Sequence, residues 1–321
     1  MLEVHPPLAN GEDRPHPGAV WFDLTNPTPE EIQEIEAFTG LDLPDRDEMA
    51  ALEQSSRLSF SNGVLQLAAP VIADSETDHP SLSPVGLLLT PKIMVSVRFN
   101  QLKMFDAIAE ACAPDAPDAP RTSTAMFVVL MEAFVGRQAD LLEDARKRLD
   151  QISHLVFHQP SAIRIRAARS TLRMRDKLQF LGRMGERLSI VRESLLAVER
   201  MMLFGVEQAR DWFGPELSHR LATARADIDA LNLFEEHLLS KVQFLLDAVL
   251  GLISIEQNDI FKVLTIASTV GIFPTLVAGW YGMNFKNIPE FDWAYGYQFG
   301  IGMIVLSTIL PLLWFKWRGW F

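Results

Sequence analysis

The residues with the clearest potential for chemistry form the tripeptide Gly282-Met283-Asn284, which ends one uncharged run and lies just ahead of another. The side-chain amide of Asn284 offers a carbonyl oxygen as acceptor and two N–H groups as donors. A ring of such amides, one from each of several copies of the chain, could contact the waters around a cation such as Mg²⁺, which gives up its waters reluctantly. Cation transport is therefore the leading hypothesis. A lone asparagine near a membrane surface is also compatible with an ordinary polar anchor.

The tripeptide lies at the end of the first of two uncharged runs, 263–285 and 293–315. Each has about 23 residues, enough helix to cross a hydrocarbon layer of about 30 Å with some tilt. The segment between them is too short to fold by itself, so the pattern predicts a membrane hairpin with a small outer loop. The loop carries three charged residues that an entering cation would meet: Lys286, Glu290 and Asp292.

Charges beyond the second run indicate how the hairpin is oriented. Lys316 and Arg318 follow the rule that basic residues stay on the cytoplasmic side of a membrane. The N-terminal residues lack the basic and apolar regions of a secretory signal peptide. We therefore expect both termini in the cytoplasm, with the lipid bilayer as a partner.

Composition limits the other partners. The 321-residue chain has a formal net charge of −12, and the part ahead of Val263 contains 26 Lys and Arg against 39 Asp and Glu. This excess of acid disfavours nucleic acid, which is bound by clustered basic residues, and it attracts cations. The single cysteine, Cys112, suits a reducing compartment.

No enzyme chemistry is predicted. The sequence shows neither a phosphate-binding loop nor a nucleophile motif. His154 and His158 have the spacing of two metal ligands on one helix, but no third ligand lies near them in the sequence. We expect no bound cofactor apart from the Mg²⁺ that is transported or that regulates transport.

The chain is predicted to have seven segments, from the spacing of its apolar residues and the positions of its turn residues. They are a cytosolic α/β domain at 1–120, a cytosolic helical segment at 121–215, a stalk helix at 216–262, a first transmembrane helix at 263–285, an extracytoplasmic loop at 286–292, a second transmembrane helix at 293–315 and a cytosolic basic tail at 316–321.

Local signals within the α/β domain set its first elements. Residues 1–18 are rich in Pro, Gly and charge, and we expect a loose terminus there. Residues 20–24 form an apolar strand pattern. Thr28 has the position of a helix N-cap, with Glu31 completing a capping box, and the helix would end at Gly40.

Turn signals predict β-hairpins around 61–63 and 90–92. Beyond a linker at 113–120 the chain is expected to be helical, over 123–158, 162–213 and 216–281. The last helix would be about 100 Å long. A heptad-like seam in it favours packing against other helices, and its members are Leu245, Leu246, Val249, Leu252 and Ile253.

Small and hydroxyl residues recur at spacings of three and four in the first uncharged run, which puts them on one helical stripe. The stripe consists of Thr265, Ser268, Ile272, Thr275, Gly279 and Gly282. Small residues let membrane helices approach closely, so the stripe is compatible with helix packing. It is also compatible with the lining of a pore, which would need several copies around an axis because one hairpin cannot enclose water.

Several stretches of the chain resemble the CorA family of divalent-cation transporters. The resemblance is dense over about the last 70 residues, at Ile255–Asn258, Pro274–Phe285, Ile288–Glu290, Tyr295–Tyr297 and Lys316–Phe321. It is looser upstream, at Trp21–Glu31 and Glu53–Arg57. The resemblance implies a funnel-shaped homopentamer with a cytosolic α/β domain, long stalk helices and a pore lined by the first transmembrane helix.

The resemblance also implies roles for particular residues. The tripeptide Gly282-Met283-Asn284 would form the outer selectivity ring for hydrated Mg²⁺, with Co²⁺ and Ni²⁺ as further candidate ions. Counting back along a helix without gaps puts five pore-facing positions at Thr275, Ile272, Leu264, Phe261 and Asn258, and Ser268 joins them from the stripe. Apolar Phe261 and Leu264 would close the pore by excluding water. Asp247 matches a position where some members carry an acid that binds regulatory Mg²⁺ between subunits.

Two alternatives remain open at this point. Lys286 departs from the family pattern, because the family usually has an acid at this position. The first alternative is the zinc-transporting branch (ZntB-like), which has the same signature. That branch tends to have a glycine-rich loop, whereas Phe285 and Pro289-Glu290 favour the magnesium branch. The alternative from another class is a membrane-anchored helical scaffold or sensor in which the stripe only packs helices.

Overall fold

The structure is a computed structural model, and it describes residues 1–7, 14–50, 57–73, 80–112, 119–158, 167–283 and 289–320, without the side chains of 167–173 and 291. The chain divides into two units. The first comprises residues 1–160 and 176–246, and the second comprises residues 161–175 and 247–321.

A mixed sheet forms the centre of the first unit. Its strands are β1 (Leu2–His5), β2 (Trp21–Thr25), β3 (Leu58–Ser61), β4 (Val64–Ala73), β5 (Ser81–Leu89) and β6 (Met94–Arg98). The order across the sheet is β1-β2-β6-β5-β4-β3. Only the pair β2–β6 is parallel among these neighbours. The α/β class predicted for this domain is therefore confirmed.

The expectation of a loose terminus over 1–18 is wrong for β1. This strand pairs antiparallel with β2, with Leu2 opposite Leu24 and Val4 opposite Phe22. The side chains of Leu2 and Val4 are buried. Burial of alternate residues against a neighbouring strand stabilises this edge strand.

Residues close together in the chain determine the first helix and the first hairpin. Helix α1 (Pro29–Thr39) begins with a complete capping box between Thr28 and Glu31 and ends at Gly40, whose φ is 71°. The β3–β4 turn contains Asn62 and Gly63 at φ of 52° and 75°. Positive φ at both central residues is typical of the tight turns that join twisted antiparallel strands. Both predictions are confirmed.

Helices cover both faces of the sheet. Helix α1 and the short α2 (Arg46–Ala50) pack on one face, where Ile35 and Met49 join the core formed by β2, β5 and β6. Helices α3 (Lys103–Ala111) and α4 (Ser123–Phe157) lie on the other. There Phe105 contacts Trp21, with ring centroids 6.2 Å apart, and Phe134, at 6.1 Å.

A buried polar network joins the parallel strands on this second face. The Arg98 guanidinium donates from Nε and Nη2 to Asp23 Oδ2 at 3.0 and 2.8 Å. Ser96 donates to the other oxygen of Asp23 and accepts from Trp21 Nε1 at 2.9 Å. Both charged side chains are almost fully buried, and a buried pair with satisfied hydrogen bonds specifies the register of its strands.

Long helices make up the rest of the first unit. Helix α4 begins at the N-cap Thr122 and ends at His158, as the sequence predicts. Helix α5 spans Ala167–Gln208 and is followed by a 3₁₀ turn at Arg210–Trp212. The single helix predicted over 162–213 therefore ends earlier, before this turn.

Helix α6 (Pro215–Tyr281) is the longest element of the described chain. Its 67 residues correspond to a helix of about 100 Å. In the first unit it is tied to α4 by Arg220, which forms a two-bond pair with Glu132 at 2.9 and 2.6 Å, and by Lys241, which pairs with Asp150. Leu245 and Val249 of the predicted seam are buried.

The second unit contains the C-terminal part of α6, a 3₁₀ turn at Pro289–Asp292 and helix α7 (Gly296–Trp317). Both α6 and α7 contain a stretch long and apolar enough to cross a membrane. The predicted long helix and the two apolar C-terminal helices are therefore confirmed.

Candidate functional site

The residues predicted to line a pore share one exposed face of α6. At about 100° per residue they fall within an arc of about 120° around the helix. All six are exposed: Asn258, Phe261, Leu264, Ser268, Ile272 and Thr275. The helix therefore brings these residues together along one line of its surface.

Two threonine hydroxyls on this face donate hydrogen bonds to backbone carbonyls of the same helix. Thr275 Oγ1 donates to the Gly271 carbonyl at 2.7 Å, and Thr265 Oγ1 donates to the Phe261 carbonyl at 2.7 Å. A hydroxyl that uses its hydrogen in this way keeps lone pairs free to accept. Thr275 therefore presents an acceptor, the polarity that suits a cation or the hydrogens of its bound water.

The N-terminal part of the same face is apolar. Phe261 is 64% exposed and Leu264 is 59% exposed. These positions lie about one helical turn apart, so their side chains form one continuous apolar band. If copies of the chain brought such bands together, water would be expelled between them.

Further out, a shallow groove follows the stripe. Ser268, Ile272, Thr275 and Met283 line it together with neighbouring small residues and the larger Leu276 and Trp280. A Cβ added at Gly271 or Gly279 would meet no atom within 4 Å in the described chain. Contacts among the described residues therefore do not require these glycines to be small.

The first two residues of the signature lie at the C-terminal end of α6. Gly282 N–H donates to the Ala278 carbonyl at 2.9 Å, and Met283 N–H donates to the Trp280 carbonyl at 3.4 Å. Both follow directly after Tyr281, where the helix ends. Asn284 and Lys286 lie outside the described residues. Of the other loop charges, Glu290 and Asp292 belong to the 3₁₀ turn.

Asp247 lies N-terminal to these residues on the same face of α6. It is exposed, and it precedes Asn258 by about three helical turns. Among the residues that the structure describes, no three His, Cys, Asp or Glu side chains form a group that could hold a metal. Asp247 therefore belongs to no group of three such ligands among the described residues.

Two further candidates from the sequence have local explanations. The rings of His154 and His158 stack with centroids 4.5 Å apart and an interplanar angle of 9°. Cys112 is buried, and burial raises the pKa of its thiol to about 11. A thiol with such a pKa is a poor nucleophile and metal ligand at neutral pH.

Comparison with known proteins gives matches along almost the whole chain. The family described as CorA-like Mg²⁺ transporter protein matches residues 17–317. The magnesium transport protein CorA of Escherichia coli K12 is 30% identical over 309 residues, which cover 96% of this chain and 94% of that protein. The same protein of Salmonella typhimurium is 30% identical over 302 residues, with coverage of 94% and 92%.

Solved structures show a similar fold. The complete CorA magnesium transporter from Methanocaldococcus jannaschii matches with a TM-score of 0.75 at 16% identity, over 97% of this chain and 93% of that one. The cytoplasmic domain of ZntB from Vibrio parahaemolyticus matches with a TM-score of 0.55 at 13% identity, over 75% and 89%. The resemblance expected from the signature residues is confirmed, and this chain belongs to the CorA-like Mg²⁺ transporter family.

Proposed function

We propose that the chain forms a passive Mg²⁺ channel by assembling as a homopentamer around the exposed face of α6. The observation that carries this proposal is a single line of acceptor, small and apolar side chains on a membrane-length helix. No other described residue covers this line, so its side chains are exposed. Family membership supports the same function. Copies related by rotation about one axis would turn this face inward and enclose the path that one hairpin cannot.

Selection of the ion would take place at the outer end. In this proposal Gly282, Met283 and Asn284 of each copy form a ring whose amide and backbone oxygens bind the waters of a hydrated cation. Neutral ligands suit Mg²⁺ because they need not replace its tightly held waters. Co²⁺ and Ni²⁺ are divalent ions of the same class and would compete at the ring.

Conduction would then follow the α6 face inward. Thr275 and Ser268 offer acceptors along the wider part, Ile272 lies between them, and Asn258 stands at the cytoplasmic mouth. Phe261 and Leu264 would form the gate, closed by dewetting. Two charges crossing 100 mV gain about 4.6 kcal/mol, so the membrane potential is a sufficient driving force.

Internal Mg²⁺ would regulate this gate. We place Asp247 at a site between neighbouring subunits, where Mg²⁺ bridges carboxylates and holds the pore shut. Loss of Mg²⁺ would release them and let the stalk helices separate. The excess of acid ahead of Val263 supports this scheme, since the carboxylates repel one another when no cation lies between them.

We place the assembly in a bacterial inner membrane, with both termini in the cytoplasm and the loop 286–292 outside. Lys286 would repel entering cations, and Glu290 and Asp292 would partly offset that repulsion. Because charges are screened over about 8 Å at physiological salt, we expect Lys286 to weaken ion loading rather than to prevent transport.

The experiment that tests this function is Mg²⁺ flux into proteoliposomes for the wild type, Asn284→Ala and the matched control Asn287→Ala. We expect the wild type and the control to take up Mg²⁺ and Asn284→Ala to lose selective uptake. Co²⁺, Ni²⁺ and Zn²⁺ serve as competitors. Entry of Zn²⁺ without Mg²⁺ would assign the protein to zinc transport, and absence of any flux would favour the scaffold.

A further inference from the structure

The C-terminal end of α7 is a defined cap and not a frayed helix end. Gly319 adopts φ of 71°. Its N–H donates to the Lys316 carbonyl at 3.1 Å, and Trp320 N–H donates to the Phe315 carbonyl at 3.1 Å. This is the hydrogen-bond pattern of a Schellman motif, which needs a left-handed residue at that position. The backbone therefore turns back over the last helical turn.

Aromatic rings lock this turn in place. Trp320 stacks on Phe315 with ring centroids 5.1 Å apart, which supplies the apolar contact that accompanies the motif. Trp314 contacts the same Phe315 edge-on, also at 5.1 Å. Phe315 is only 3% exposed. The rings therefore form one cluster at the end of the helix.

Two cations project from this cluster. The Arg318 guanidinium lies 5.6 Å from the centre of the Trp314 ring, and Lys316 is exposed. The chain contains no Asp or Glu from Trp293 to its end. Two of the last carbonyls of α7 already accept from the cap, so the negative end of the helix dipole is partly neutralised. The cluster thus offers positive charge to an external anion.

The cytoplasmic end of the other membrane helix differs. Lys262 is the last charged residue before the uncharged part of α6, and its ammonium lies 2.8 Å from Asp259 Oδ1. Its charge is therefore compensated within its own helix. Of these two helix ends on the same side of the bilayer, the end of α7 is the one whose basic side chains form no ion pair with any described residue and lie beside aromatic rings.

We propose that the cap of α7 binds the headgroup phosphate of an anionic phospholipid in the cytoplasmic leaflet. The proposal rests on the membrane placement given under the proposed function. Arg318 would hold phosphate oxygens through two parallel N–H groups, and Lys316 would add a second charge. The exposed indole of Trp317 would lie at headgroup level, as tryptophans do at membrane interfaces, while the acyl chains follow the apolar surface of α7.

The test uses the full-length protein in nanodiscs of phosphatidylcholine containing a minor share of phosphatidylglycerol. Lipids retained by the protein are counted by mass spectrometry after release from the disc. We expect enrichment of phosphatidylglycerol on the wild type, falling about fivefold for each cation removed in Lys316→Gln and Arg318→Gln, since one basic residue contributes about 1 kcal/mol at such a surface. Trp320→Ala keeps both charges but loses the ring stack, and we expect it to lose part of the enrichment.

Controls separate this site from general surface charge. Lys262→Gln removes one charge on the same side of the membrane, and we expect it to keep the enrichment. The exchange Lys316→Arg with Arg318→Lys retains both charges and should keep most of it. The proposal would be overturned if a variant with both Lys316→Gln and Arg318→Gln kept the wild-type enrichment. It would also be overturned if Lys262→Gln lost as much enrichment as Lys316→Gln or Arg318→Gln. Because the readout is bound lipid and not Mg²⁺ flux, its failure is distinct from failure of the transport function.

Discussion

At the scale of single residues, Glu235 of α6 is a carboxylate buried in the first unit. Its side chain is 1% exposed, and neither carboxylate oxygen has a hydrogen-bond donor among the described residues. The nearest cation is Arg192 of α5, at 3.6 Å, which also pairs with the exposed Glu236 at 3.1 Å. Burial therefore raises the pKa of the Glu235 carboxyl, and Arg192 only partly opposes the shift.

This shift predicts the direction of a pH effect on stability. Because the pKa of Glu235 is higher in the folded chain than in the unfolded chain, the folded state binds the proton more tightly. The resulting stabilisation is present below the unfolded pKa and is lost as pH rises through the folded pKa. We expect Glu235→Gln to remove this loss and to stabilise the protein by about 1 kcal/mol at neutral or alkaline pH.

The measurement is the thermal unfolding midpoint of the full-length protein, followed by circular dichroism at fixed scan rate from mildly acidic to mildly alkaline pH. Glu236→Gln is the matched control, because it removes an exposed carboxylate that pairs with the same Arg192. A Glu235→Gln protein whose midpoint still falls with pH as steeply as that of the wild type would contradict the prediction.

At the scale of elements, the sequence predicted correctly those helix ends and turns that depend on residues close together in the chain. The capping box of α1, the Asn62-Gly63 turn and the N-cap at Thr122 involve residues no more than about four positions apart, and all are present. Strand β1 was missed because its stability depends on pairing with β2, across an intervening segment rich in Pro and Gly. Glu235 was missed because a glutamate in a helical pattern indicates a solvated face.

For the candidate site, helical periodicity could predict a shared face but not what that face meets. The six positions predicted to line a pore fall on one exposed side of α6 because α6 has no break between Asn258 and Thr275. In the proposed assembly, contacts around the stripe would depend on other copies of the chain, which a single sequence does not describe. The roles of Asn284, Lys286 and Asp247 therefore stay predictions.

The apolar band of α6 gives the prediction at this scale. Replacing Leu264 by Asn puts a polar group in the proposed gate, which should favour wetting of the closed pore. Loss of a leucine from an apolar environment costs about 1.5–3 kcal/mol, so we expect at least a tenfold rise in Mg²⁺ leak at high internal Mg²⁺. Flux into proteoliposomes preloaded with Mg²⁺ measures this leak.

Ile266→Asn is the matched control, since Ile266 lies two residues further along and about 200° around the helix from Leu264. It introduces the same amide on the opposite side of α6. An equal leak in both variants would show that the polar group disturbs the helix in general, and no leak in Leu264→Asn would exclude Leu264 from the gate.

At the scale of the whole molecule, the proposed assembly concentrates negative charge on the cytoplasmic side. Each copy carries a formal charge of about −13 ahead of Val263, and a homopentamer brings five such regions together. Like charges at close range destabilise a compact assembly unless cations lie between them. Internal Mg²⁺ would therefore stabilise the closed state in proportion to the carboxylates it bridges.

Asp247→Ala tests this feedback. Removing one bridging carboxylate from each copy should raise the internal Mg²⁺ concentration that halves the flux by about fivefold or more, the size of a typical coupling between sites. Asp227→Ala is the control, because Asp227 is an exposed aspartate of the same helix about 160° away around it. Both variants should elute as pentamers in light scattering, since the sheet and the α4–α6 ion pairs are untouched. A pentamer whose half-inhibiting Mg²⁺ concentration does not move would remove Asp247 from the regulatory site, whereas a wild type that is not pentameric would remove the shared axis on which the whole scheme depends.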